Sequence, residues 1–162
     1  MSRLRVNIVA LYVAFMCLMG FFTQQTAAES LETLSDIELE EMLEATDKPF
    51  ILVYWASWCV PCRHFREKLE QIRKDYTEES LCMLAVSLDR EPQRVAAYLA
   101  ETPLPYPARI GDAALQKARA GMPVPTTVLY RRDGTVDHTL VGDVSEKRLR
   151  HYVERIVEQK KK

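Results

Sequence analysis

Phe50-Ile51-Leu52-Val53-Tyr54-Trp55-Ala56-Ser57-Trp58-Cys59-Val60-Pro61-Cys62 is an apolar run that ends in two cysteines separated by two residues. Phe50 to Trp55 is unbroken and rich in β-branched and aromatic residues, which reads as a strand buried on both faces. Beyond it Phe65, Leu69, Ile72 and Tyr76 recur at spacings of four, three and four, the apolar stripe of an amphipathic helix. Cys62 lies three residues before Phe65, extends that stripe and points inward. Cys59 falls one turn earlier, at the helix N-terminus, where free backbone N–H groups and the positive end of the helix dipole favour a thiolate over a thiol. Pro61 suits this first turn, which has no use for its missing N–H. The spacing therefore predicts an exposed, activated Cys59 and a sheltered Cys62 within bonding reach.

A Cys-x-x-Cys pair is also half of many zinc sites. A structural zinc site needs two further ligands, but Cys17 and Cys82 stand alone in apolar runs and His64, His138 and His151 are scattered. Thiol–disulfide exchange is the better reading, since it needs one attacking thiolate and one resolving thiol at close quarters. No metal and no cofactor are expected.

Working outward, Leu81 to Leu88 is a second continuous apolar run, expected as a central strand parallel to the first, so that strand, helix and strand make a right-handed βαβ unit. Asp89 to Glu101 reads as a helix with Val95, Tyr98 and Leu99 on one face. Pro103, Pro105 and Pro107 break the chain before a short extended piece, Ala108 to Ile110, and a short helix, Ala113 to Ala120. Val124 to Tyr130 and Thr135 to Val141 form a hairpin around Asp133-Gly134. Asp143 with Glu146 has the pattern of a capping box, and Leu149, Tyr152, Val153, Ile156 and Val157 form the buried face of a last helix, whose negative end Lys160 to Lys162 suit. Upstream, Ser35 with Glu38 marks the start of another helix. Cys82 reads as a buried core thiol, Trp55 as core, His64 as solvent-facing, and Arg131 and Arg132 as solvating a hairpin end.

The first residues are set aside. Arg3 and Arg5 precede an apolar run from Ile8 to Phe22, and small residues end in Thr26-Ala27-Ala28. Residues 1–28 are expected to be a signal peptide or an N-terminal membrane anchor, and residues 29–162 a single domain. The apolar run is shorter than the about 20 residues that comfortably span a bilayer, which favours cleavage. Either way the domain is exported, to the periplasm, with tethering to the inner membrane through residues 6–22 as the alternative. The net charge of −1 with interspersed signs offers no basic field for nucleic acid.

Tyr54 to Arg63, with its Trp58-Cys59-Val60-Pro61-Cys62 core, resembles the active-site segment of thioredoxin-like proteins, and Val124-Pro125-Thr126-Thr127 resembles their cis-proline segment. The likeness is to exported reductases of the TlpA/ResA type. It implies a three-layer α/β/α fold with a central mixed sheet and a TlpA-type helix–strand insertion, in which partner selection resides. It further implies a cis bond before Pro125, placed opposite the cysteines, with the backbone of Val124 pairing with a substrate strand and Trp58 shielding the disulfide. Three positions depart from the family: Val53 replaces a buried acid that assists the resolving cysteine, Phe65 a glutamate, and Glu67 a helix-kinking proline. The proton of Cys62 is then expected to pass to water or to another group, Glu67 and His64 being the candidates.

The expected activity is reduction of client disulfides by a monomer. Cys59 attacks and Cys62 resolves, a membrane thiol electron donor recharges the pair, and the client belongs to a process such as cytochrome c maturation. The alternatives are a disulfide-introducing oxidase of the same fold and a copper(I) carrier using the same cysteines.

Overall fold

The computed structural model describes residues 31–159. The leader expected over residues 1–28 and the role of Lys160 to Lys162 lie outside the described residues.

The apolar run before the cysteines is strand β2 (Phe50–Trp55), buried at all six positions, after β1 (Thr33–Leu34) and α1 (Asp36–Ala45). Helix α2 (Val60–Asp75) carries the chain to β3 (Cys82–Ser87), which pairs with β2 in parallel, Phe50 opposite Cys82 and Trp55 opposite Ser87. Then come α3 (Pro92–Glu101), β4 (Ala108–Gly111), α4 (Ala113–Ala118), β5 (Thr126–Tyr130), β6 (Val136–Val141) and α5 (Glu146–Glu158). The six strands lie in the order β1-β4-β3-β2-β5-β6, with β5 antiparallel to both β2 and β6.

Strand alternation sorts the core into two layers. Ile51, Val53 and Trp55 pack with Phe65, Leu69 and Ile72 of α2, Val95 of α3 and Leu149, Val153 and Ile156 of α5. Phe50, Leu52 and Tyr54 face the other way, onto Leu39 of α1 and Leu115 of α4. Each fully buried leucine, isoleucine or phenylalanine stabilises the fold by about 2 kcal/mol relative to leaving it exposed. The result is the three-layer α/β/α arrangement with a mixed sheet, and the additional helix–strand portion, α3 and β4, sets β4 between β3 and β1.

Local signals account for most element ends. Ser35 Oγ accepts the N–H of Glu38, and the Glu38 carboxylate accepts the Ser35 N–H at 2.8 Å, closing the capping box of α1. In the β5–β6 turn Gly134 takes a φ of 76°, open to glycine at no steric cost.

Several expectations are corrected. Helix α3 begins at Pro92, not Asp89, because the proline ring disfavours a helical Glu91, which stays extended at φ −113° and ψ 99°. Asp143 does not cap α5: Ser145 does, accepting the Arg148 N–H, while Asp143 accepts from Lys68 Nζ at 2.6 Å. The two-residue strand β1 is too short to leave a period in the sequence. Cys82 is half-buried at the first position of β3, 3.7 Å from Thr46 Oγ1. Arg131 is ion-paired at 2.7 Å with Asp137, and Arg132 donates to the carbonyls of Asp47 and Val157. Among the described residues no helix is long and apolar enough to cross a membrane.

Candidate active site

Strand β2 ends in the middle of the sheet and delivers Ala56 to Trp58 to its C-terminal edge, where α2 starts. Cys59 is the N-cap of α2, extended at φ −82° and ψ 106°, and its Sγ accepts the backbone N–H of Cys62 at 3.1 Å. An orphan donor of the first helical turn thus points at this sulfur. Cys59 and Cys62 are joined in a disulfide, with Cα atoms 5.3 Å apart. Pro61 lies in the first turn, where it interrupts no helix hydrogen bond.

The Val124–Pro125 peptide bond is cis. The carbonyl oxygen of Val124 lies 3.4 Å from Cys59 Sγ, and Pro125 borders a small cavity together with Cys62. This loop is the reason for one correction. Cys59, expected to be exposed, is only 3% accessible, less than Cys62 at 7%. Trp58 and Val60 beside it are the exposed groups, at 63% and 57%. Trp55 is core, its ring tilted against Tyr98 at 5.3 Å between centroids.

The sequence reading missed Asp89. It is buried, and its carboxylate accepts the Ser57 N–H at 2.8 Å, the Ser57 hydroxyl at 2.8 Å and the Ser87 hydroxyl at 2.6 Å. The Asp89 carbonyl also accepts from Gln116 Nε2. From the other side, Arg63 donates to the Ser57 carbonyl at 3.3 Å, with its guanidinium over the Tyr98 ring. The loop that presents Cys59 is therefore tied to the end of β3. A usable signal was present: Asp89 follows the end of a central parallel strand, and sites in such sheets gather at strand C-terminal ends.

Behind Cys62 lies a small, partly open cavity of about 20 Å³, room for about one water. Val53, Phe65 and Ala85 contribute apolar wall, and no carboxylate lines it among the described residues. His64 and Glu67 are exposed and line no part of it, which leaves water as the expected proton carrier on this side. Arg66, Tyr98 and Tyr106 complete its lining, and burial pushes the Tyr106 hydroxyl up, keeping it neutral. Among the described residues no three His, Cys, Asp or Glu side chains converge as metal ligands.

The profile of the family described as thioredoxin-like matches residues 47–136, from just before β2 to the start of β6. The chain belongs to the thioredoxin-like family. Among its thioredoxin-like relatives is thioredoxin-like protein YneN of Bacillus subtilis, 30% identical over 78% of this chain and 75% of the relative. Thiol-disulfide oxidoreductase ResA of Geobacillus thermodenitrificans is 27% identical over 85% of this chain and 83% of its own length. A solved structure of a thiol:disulfide interchange protein of the thioredoxin family from Chlorobium tepidum shares the fold, with a TM-score of 0.61 and 21% identity, covering 73% of this chain and 84% of that one. By family and relatives, this thioredoxin-like chain is a protein thiol–disulfide oxidoreductase.

Proposed function

We propose that the chain is an exported reductase of protein disulfides in which Cys59 attacks and Cys62 resolves. The observation that carries this reading is the placement of Cys59 Sγ at the cap of α2, accepting a backbone N–H and facing the cis-proline loop. In the reduced chain the same N–H and the helix dipole favour the Cys59 thiolate. That thiolate attacks one sulfur of a client disulfide, the client's other sulfur leaves as a thiolate, and a mixed disulfide forms. The thiolate of Cys62 then attacks Cys59 Sγ, the bond to the client breaks, and the Cys59–Cys62 disulfide remains; two electrons have passed to the client.

Val124 beside Cys59 offers its backbone to an extended client segment, while exposed Trp58 and Val60 offer apolar surface next to the reacting sulfur. Pro61 shapes the turn between the cysteines. Val60-Pro61 supports this direction: no histidine stands between the cysteines to stabilise the thiolate further, and a less stabilised thiolate makes a more reducing pair. The basic and apolar pattern of residues 1–28 supports export, to the periplasm, as a signal peptide or as an anchor through residues 6–22, with residues 29–162 as the working domain. A chain that reduces clients outside the cytoplasm needs a membrane thiol donor to recharge it, and a disulfide-containing client such as a protein of cytochrome c maturation to act on.

Equilibration of the chain in defined thiol buffers, read by thiol alkylation, tests the reading. A potential near the ~−270 mV of thioredoxin, or lower, is expected. A value near the ~−120 mV of a strong oxidant would make the chain a disulfide-introducing oxidase. Failure to form a reversible disulfide, together with stoichiometric copper(I) binding, would favour the carrier.

A further inference from the structure

The cavity behind Cys62 poses a chemical question, because the resolving step needs Cys62 as a thiolate and the wall that faces it holds no acid or base of ordinary kind. From β2 it presents Val53 and Trp55, from β3 Ala85, and from the loop before β4 Leu104 and the neutral Tyr106. Helix α3 contributes Tyr98. Helix α2 contributes Arg66 beside its apolar groups, and Arg66 is the one permanently charged side chain on the wall among the described residues. A thiolate in an apolar cavity is disfavoured by desolvation, and a nearby cation is the interaction that offsets it.

Arg66 and Tyr98 also line a second, solvent-open groove of about 420 Å³ on the outside, together with Arg63, Glu67 and Glu70. Both side chains thus stand between the cavity and the groove. Arg66 is anchored there, with Nε donating to Glu70 at 2.5 Å and an Nη donating to the Pro103 carbonyl at 3.4 Å. Its side chain is 23% exposed and that of Glu70 25%, so neither charge is fully screened.

We infer that Arg66, held by Glu70, takes the part of the missing buried acid: it does not remove the proton of Cys62 but stabilises the thiolate left when that proton departs to solvent. This rests on the exchange reading above and assigns a supporting role for its second step. Arg66 acts through Cys62, whose thiolate then displaces the client sulfur from Cys59. The sign of the Glu70 effect follows: its carboxylate partly neutralises Arg66, so removing its charge leaves the cation freer to favour the thiolate.

The test uses the full chain with Cys17→Ser and Cys82→Ala, reduced and mixed with an aromatic disulfide whose released thiol is coloured. The first release reports attack by Cys59, and the second reports resolution by Cys62. Arg66→Met is expected to raise the pH midpoint of the second release by about one unit, Arg66→Lys to stay near the parent, and Glu70→Gln to lower the midpoint. An unchanged midpoint in folded Arg66→Met, or shifts of the same sign in Arg66→Met and Glu70→Gln, would overturn the inference. If Arg66→Met does not fold, Glu70→Gln decides: a lower midpoint supports the role, and an equal or higher one overturns it. Loss of either release in the parent chain would overturn the exchange reading itself and this inference with it.

Discussion

At the scale of single residues, Asp89 is the side chain on which the active-site loop most depends. Its carboxylate satisfies three donors in a buried place, and hydrogen bonds to a charged group contribute about 1.5–3 kcal/mol each, not additively. Asp89→Ala leaves the Ser57 N–H and the Ser57 and Ser87 hydroxyls short of an acceptor. It is expected to lower unfolding stability by about 2–3 kcal/mol in urea titration and to slow alkylation of reduced Cys59, since Ser57 would no longer be fixed. Wild-type stability and alkylation in Asp89→Ala would show that Arg63 and the helix cap hold the loop unaided. In the sequence Asp89 looks like the first residue of a helix, because nothing in its own neighbourhood reveals a partner 32 residues away. Cys59 shows the same limit in reverse. Its place at the helix start is local and legible, whereas the loop that covers it comes from 65 residues further on.

Between elements, the hairpin and the last helix are joined by Asp137, whose side chain is fully buried and contacts Arg155 of α5 and Arg131 at the end of β5. Burial opposes its charge, but the hydrogen bond from Arg155 and the charges of Arg155 and Arg131 outweigh it and hold the carboxyl below its usual range. Arg131 contributes as an ion pair; the directed hydrogen bonds come from Arg155, through Nε at 2.8 Å and a second guanidinium nitrogen. A carboxyl with a folded pKa below its unfolded value of about 3.9 adds stability above that value, and the contribution is lost as pH falls through the folded pKa. Asp137→Asn should therefore reduce stability at neutral pH and flatten the fall below about pH 4, measured as denaturation midpoints across pH. A parallel drop in both proteins would remove this cluster from the acid response. Spacing placed β6 and α5 correctly, but not the pairing of Arg131, which the sequence reading gave to solvent. Ion pairs between elements follow the sheet order, and that order is not periodic in the sequence.

For the whole molecule, redox state and stability are linked through one thermodynamic cycle: whichever state of the cysteine pair the fold favours sets the potential. A strong oxidant is more stable reduced. If the chain is a reductase, the oxidised form should have the higher urea midpoint and the reduced form the lower, compared at one pH with Cys59 and Cys62 intact. The opposite order would contradict the proposed direction independently of any client. The sequence by itself determined the buried run of β2, the amphipathic α2, the parallel β3, the hairpin and the two cysteines one helical turn apart. Those signals are local: apolar period, capping residues and turn chemistry act over a few residues. Only the tertiary structure decided that Cys59 is covered, that Asp89 braces its loop, and that Arg66 and Cys62 line one cavity with Val53, which stands where the family has its buried acid. Each of these depends on which side chains from different strands and helices meet at one end of the sheet, and that meeting is set by packing the two faces of the core together.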